Sequence, residues 1–263
     1  MIFATKNGVS AYQFENLAAC SGVDHRIFTR NSGKSRPPFA SLNVGYGIGD
    51  TPKNVLENRG IVSGFMAAGR LVFARQVHGC EIAVLSRGNQ KKDLVPADRT
   101  LTADAMVTDI KGRNLVIQVA DCQAVMLYEP DRRVIANVHS GWRGSLQNII
   151  GHTVEAMERH FDCRPGRIRA GIGPSLGPCC AEFINYRKEI PLKFWRYKGH
   201  TRHFDFWSLS RDQLMGAGVA AVNIESSGIC TRCHPEDFFS YRAEKTTGRF
   251  AAVIGLTESA LAG

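Results

Sequence analysis

The sequence predicts an α+β domain built on mixed β-sheet. Three observations carry that expectation. Short apolar runs with β-type patterning outnumber helical patterns. They do not alternate with helices in the regular order of a doubly wound parallel fold. The composition, 44% hydrophobic and 22% charged over 263 residues, is that of a chain with a sizeable core and no bulk disorder.

The strand-like runs cover residues 27–29, 71–77, 81–85, 104–108, 115–119, 124–128, 134–138, 168–172, 221–225 and 251–254. Three segments carry helical spacing. Residues 145–160 place Ile149, Ile150, Val154 and Met157 on one face. Residues 52–68 carry Val55, Ile61, Val62 and Phe65, and residues 208–217 form a short third helix. Internal repeats, low-complexity tracts and linker-like stretches are absent from the sequence, so one domain over 1–263 is expected.

Residues 1–20 interrupt every apolar run with a polar residue, which does not read as a secretory signal. No stretch approaches the roughly 20 apolar residues of a membrane span. A cytoplasmic protein without membrane association is therefore expected. The eight cysteines then read as reduced thiols and not as a disulfide framework. The net charge of +9 invites a nucleic-acid reading. The positive residues are scattered, however, without the interleaved aromatics of a single-strand groove. No nucleic-acid partner is expected, whereas a phosphate-bearing small substrate suits the charge.

Chemistry concentrates where apolar runs end. One run leads into Gln76-Val-His-Gly79, a second into Asp121-Cys122, a third into His139-Ser-Gly-Trp-Arg-Gly144. Two histidines and a cysteine are good zinc donors, and three protein ligands plus water is the catalytic arrangement. Their spacings of 44 and 17 residues match no local zinc motif. On the residues alone, Cys122 reads equally as a small buried apolar group and each histidine as a satisfied strand-end residue. Gly141-Trp-Arg-Gly144, read as leading into the helix that starts at Ser145, offers backbone amides and an arginine fork to an anion. A plain turn with an exposed arginine is the competing reading. Cys230-Thr-Arg-Cys233-His234 has the form of a haem-attachment motif. Haem attachment accompanies export, which argues against it here. A C-x-x-C pair also suits a redox pair or half of a structural zinc site, but Cys179-Cys180 is vicinal and does not supply a second spaced pair. The segment is expected to be a structural turn without haem. The stretch 171–180 is rich in glycine and proline, lacks the lysine of a P-loop, and reads as a rigid loop.

Taken in order, Phe28-Thr-Arg30, Ala40-Ser-Leu-Asn43, Glu57-Asn-Arg59, the Gln76, Asp121 and His139 segments above, Gly173-Pro-Ser-Leu-Gly-Pro-Cys-Cys180 and the segment 230–242 resemble the YfiH-type family. Its members are described both as polyphenol oxidase (laccase) domains and as zinc-dependent purine nucleoside phosphorylases. The resemblance runs from about His25 to Leu256. Ser140, Gln123 and His234 depart from the residues common in the family, and none is a proposed ligand.

The resemblance implies a single α+β domain, a mixed β-sandwich flanked by helices. It implies zinc on His78, Cys122 and His139, and phosphorolysis of adenosine, inosine and methylthioadenosine with adenosine deamination as a side activity. Purine nucleoside and inorganic phosphate are then the partners. Such chemistry needs a held phosphate, held ribose hydroxyls and assistance to the leaving purine. Arg59 and Arg143 are assigned to phosphate, Ser41 and Asn43 to hydroxyls, and Gln76 joins the substrate-binding set. Cys122 and His139 form the catalytic set together with Asp121, a proton shuttle beside the cysteine. A metal-free hydrolase with Cys122 as nucleophile and His139 as base is the second reading, and it would also suit peptidoglycan-precursor editing. Copper accepts the same donors. Multicopper oxidation, however, needs clustered histidines, and eight scattered ones without an H-x-H pair do not supply them.

Overall fold

The computed structural model describes residues 1–66, 69–86 and 101–257. Among them, two mixed sheets stack face to face. The first runs β1(Ile2–Lys6), β2(Val9–Gln13), β3(Val23–Phe28), β13(Phe250–Leu256), β8(Arg113–Val119), β4(Arg70–Arg75), β6(Leu101–Thr102) in spatial order. The second runs β12(Ile224–Ser226), β11(Arg169–Ile172), β9(Gln123–Glu129), β10(Val134–Ser140), β7(Ala105–Thr108), β5(Ile82–Leu85). Most neighbours are antiparallel. β4 is parallel to β8 and β6, β5 to β7, and β11 to β12.

The packing explains why the central strands read as continuous apolar runs. A core of Phe14, Ile117, Met126, Ile135, Phe250 and Ile254, among others, fills the space between the sheets. Val125, Leu127, Ala136 and Val138 point the other way, onto Ile150, Val154 and Met157 of the Ile149–Phe161 helix and Leu214 of the Phe206–Gly216 helix. Val116 and Val253 of the first sheet meet Val62 and Phe65 of the Pro52–Phe65 helix. Both faces of the central strands are thus covered, and every residue of β9, β10 and β13 is buried. At roughly 1.5–3 kcal/mol per fully buried large apolar side chain, these layers supply the main drive to fold.

The expected α+β sandwich is therefore the fold, with local corrections. The hairpin β1–β2 lies in a segment read only as polar-interrupted. Its register, Lys6 opposite Val9, leaves Asn7-Gly8 as a two-residue turn with both φ values positive, at 53° and 78°. The helix expected from Ser145 is two helices, Trp142–Leu146 and Ile149–Phe161. Asn148 breaks them apart, with φ 60° and a side chain that caps the Gly151 amide. Residues 221–223 of the expected strand 221–225 form a 3-10 turn before β12. The end of the expected helix 52–68, at Ala67 and Ala68, lies outside the described residues. No helix among the described residues is long and apolar enough to cross a membrane.

Candidate active site

Three strand ends converge at one end of the sandwich. Gln76-Val-His-Gly79 leaves β4, Asp121-Cys122 joins β8 to β9, and His139 is the penultimate residue of β10. His78, Cys122 and His139 offer donor atoms that all lie within 4.8 Å of one another. The Cys122 sulfur is 3.9 Å from His78 Nε2, and the two imidazoles meet edge-on with centroids 4.8 Å apart.

A buried carboxylate that sequence reasoning missed organises this cluster. Asp104, at the foot of β7, is fully buried. Its oxygens accept from the amides of Val77, His78 and Gly79, the last two at 2.9 and 2.8 Å. His139 donates Nδ1–H to the same carboxylate at 2.8 Å. That bond leaves His139 Nε2 as the free donor, and the three amides hold His78 in a left-handed conformation, φ 60°, that a non-glycine residue adopts only when held. Burial pushes the Asp104 carboxyl up, but the His139 and amide hydrogen bonds outweigh it and keep the group below its ordinary range.

Cys122 and His139 polarise each other. Burial opposes charge on both. The neighbouring imidazoles, His139 first, nevertheless bring the Cys122 thiol down to about 6. The Cys122 thiolate and then Asp104 raise His139 to about 9. Gly141 makes room for the trio, since a Cβ there would stand 3.0 Å from His78 Cδ2, 3.2 Å from Cys122 Sγ and 3.6 Å from His139 Cε1.

The cluster opens into a cavity of about 1310 Å³. Seven arginines line it: Arg59, Arg70, Arg75, Arg113, Arg143, Arg242 and Arg249. Asp121 is the one carboxylate among its described lining residues, so the cavity carries a strongly positive field. Tyr46, Phe73, Trp142, Phe183, Phe206 and Tyr241 supply flat apolar surface in the same space.

The structure brings some of the expected substrate residues here and keeps others away. Arg143 lines the cavity, its guanidinium 4.5 Å over the Trp142 ring. It is the second residue of the five-residue Trp142–Leu146 helix and does not sit at the head of the 13-residue Ile149–Phe161 helix, so the expected glycine-turn dipole contributes little. Arg59 lines the cavity too, sandwiched over Phe73 at 3.6 Å and Tyr46 at 4.2 Å, with Nε on the Val44 carbonyl. Burial brings its guanidinium down to about 10. Gln76 lines the wall, but both ends of its amide bind the Gln118 backbone, each at 2.9 Å, so it splices β4 to β8.

Ser41 and Asn43 do not reach the cavity. Ser41 Oγ donates to the Arg30 carbonyl and accepts from Gly33. Asn43 is fully buried, its amide spent on Gly45, Asp50 and the Arg249 backbone. Both build the loop behind the wall, as does buried Asn58 of the Glu57-Asn-Arg59 segment. Asp121 is equally committed: Oδ1 accepts the Thr231 hydroxyl and Oδ2 the Arg242 amide. It fastens three loops instead of shuttling a proton, and Asp104 is the carboxylate on the imidazole. Arg249 was also overlooked. It is half-buried at the cavity wall, its Nη1 on the Thr247 and Gly248 carbonyls.

Residues 24–257 match the family described as multi-copper polyphenol oxidoreductase laccase. The chain belongs to this family. Among family members, the purine nucleoside phosphorylase YlmD of Geobacillus stearothermophilus is 34% identical over 254 residues, covering 90% of this chain and 92% of that one. The purine nucleoside phosphorylase YfiH of Escherichia coli K12 is 32% identical over 256 residues, covering 93% and 96%. The crystal structure of Geobacillus YlmD superposes with a TM-score of 0.83 at 32% identity, covering 98% of this chain and 99% of that one. The YfiH-type resemblance and the mixed sandwich read from the sequence are thereby borne out. The family's name invokes several coppers, yet only His78 and His139 of the eight histidines line this cavity.

Proposed function

We propose that the chain is a zinc-dependent phosphorylase of purine nucleosides, accepting adenosine, inosine and methylthioadenosine. The observation that carries the reading is the His78–Cys122–His139 cluster at the foot of an arginine-lined, aromatic-walled cavity. The relatives' names support the same enzyme class.

The residues fit zinc. Tetrahedral zinc with sulfur at about 2.3 Å and nitrogen at about 2.0–2.1 Å sets its donors roughly 3.3–3.6 Å apart. The cluster lies close to that spacing, Gly141 leaves the space beside all three donors without a side chain, and Asp104 already orients His139. When bound, zinc supplies a Lewis acid with an open fourth position.

The chain's own residues do the rest. Arg143, with the cavity's other arginines around it, holds phosphate as a dianion and aims it at the ribose C1′. The aromatic walls sandwich the purine, which sits well on rings that reject water. Phosphorolysis transfers the glycosidic carbon from the purine nitrogen to a phosphate oxygen, giving ribose 1-phosphate and free base. The positive field balances the negative charge of the bound phosphate. Adenosine deamination is proposed as a side activity of the same centre.

The Cys122–His139 pair favours one second reading, since a thiolate beside an imidazolium is the resting state of a cysteine hydrolase. One assay separates the two. Inosine with inorganic phosphate should yield equal amounts of hypoxanthine and ribose 1-phosphate, and omission of phosphate should stop it. Phosphate-independent release of free ribose, or full activity after zinc is stripped by chelator, would overturn the phosphorylase reading.

A further inference from the structure

A second cluster of donors lies behind the active site. Cys179 and Cys180, on the loop 173–181, meet Cys230 and Cys233 of the loop 229–234, and the four sulfurs all lie within 4.8 Å of one another. The vicinal pair and the C-x-x-C pair lie some 50 residues apart in sequence, so only the fold reveals that each completes the other.

We propose that these four cysteines bind a second, structural zinc ion as a tetrathiolate site. Sulfurs on a tetrahedral zinc at about 2.3 Å stand roughly 3.8 Å apart. Cys233 Sγ is 3.5 Å from Cys180 Sγ and 3.7 Å from Cys179 Sγ, matching edges of that tetrahedron. A disulfide would need one pair at about 2.05 Å and would leave two thiols over. Cys230 is further prepared for charge. Its sulfur accepts the Gly177 amide at 3.3 Å, a hydrogen bond that favours the thiolate form. Four protein donors leave no open position, which is the closed arrangement of a structural site.

What the ion would fasten is visible in the surrounding bonds. Ser175 pairs with Cys230 as a β-bridge, Ser175 N–H donates to Ile229 and Thr231 N–H to Ser175. Leu176 N–H donates to the Asp121 carbonyl, and the Thr231 hydroxyl to the Asp121 carboxylate. The two cysteine loops therefore hang on the residue next to Cys122, and Leu176 and Ala181 of the first loop line the cavity. Neither loop belongs to a sheet, so a four-sulfur clamp would hold this wall in place.

The test is zinc stoichiometry on the full chain, produced in zinc-supplemented medium and purified under reducing conditions. Two zinc per wild-type chain are expected, one per Cys122→Ala chain, and one per Cys233→Ser chain. X-ray absorption of the Cys122→Ala protein should then show a zinc shell of sulfur alone. One zinc in the wild type that vanishes in Cys122→Ala would overturn the tetrathiolate site and leave the catalytic one standing. One zinc that survives Cys122→Ala and vanishes in Cys233→Ser would do the reverse. If Cys233→Ser fails to fold, the absorption spectrum of the Cys122→Ala protein decides alone, and a nitrogen or oxygen shell there sinks the proposal. So does a disulfide within the quartet found by peptide mapping of the reduced-purified chain.

Discussion

The two donor clusters of this molecule are built on opposite plans. His78, Cys122 and His139 come from the ends of three separate strands, are oriented by a buried carboxylate, and face a large cavity. Cys179, Cys180, Cys230 and Cys233 come from two irregular loops, and backbone amides are the groups that steady them. The difference teaches what each is for. Rigid strands place three donors without needing a metal to hold them, so a coordination position stays available for chemistry. Loops without a ladder need the metal itself, and four donors close the site. On the proposed reading, the first cluster works on a ligand and the second keeps a wall upright.

The largest effect separates them outright. Cys122→Ala should reduce inosine phosphorolysis to background and remove the catalytic zinc, while the circular dichroism melting temperature stays near that of the wild type. Zinc unchanged in that variant breaks the assignment of Cys122 as a ligand. Next comes Asp104, which holds His139 and three amides of the His78 loop. Asp104→Asn should weaken zinc at the catalytic site by roughly 10–100-fold while leaving the four-cysteine site loaded. Chelator competition measures it, and equal weakening at both sites would mean a general loss of fold. Asp104→Ala should also destabilise the chain by roughly 3–5 kcal/mol in urea unfolding, because a buried pair loses one partner.

Arg143→Ala should raise the phosphate KM roughly ten- to a hundredfold with saturating inosine, from a lost charge-assisted contact of about 1.5–3 kcal/mol. Arg143→Lys should restore little, because lysine lacks the planar fork. An unchanged phosphate KM and kcat would transfer the phosphate role to Arg59, whose Nε is already occupied.

The smallest effect contrasts the sulfurs themselves. In chelator-stripped protein, Cys122 with its pKa near 6 should alkylate with a rate that climbs as pH rises through about 6 and levels above it. Cys179, though exposed, has its thiol pushed above the ordinary range, by burial of the sulfur first and then by its cysteine neighbours. It should react only at markedly higher pH. Peptide mass spectrometry after short iodoacetamide pulses gives both profiles, and coincident profiles would erase the electrostatic distinction between the clusters.

Much of the fold was legible because burial on both faces writes itself as apolar runs. The strands β4, β5, β7 to β11 and β13 coincide with runs read from the sequence, whereas β3 and β12 overlap theirs by two residues each. The β1–β2 hairpin was legible in principle, since Asn7-Gly8 between two mixed runs is a strong turn signal, but the polar residues around it drew the reading elsewhere. The break at Asn148 was harder, because the amphipathic face continues past it and only the left-handed backbone interrupts the helix.

The site divides in the same way. Residue type and position by themselves marked His78, Cys122 and His139 only as polar residues at the ends of apolar runs, and it took the family resemblance to single them out as a donor set. Residue type could not decide how side chains that suit several roles are spent. Ser41, Asn43 and Asp121 look like ligand-binding groups, yet the fold spends each on neighbouring backbone. Asp104 looks like a strand-edge carboxylate, yet the fold points it at His139. Hydrogen-bond partners, and sulfurs some 50 residues apart that come within 4.8 Å, are set by how two sheets stack and where their loops land. That information is three-dimensional, so the meeting of Cys179 and Cys180 with Cys230 and Cys233 belonged to the tertiary structure alone.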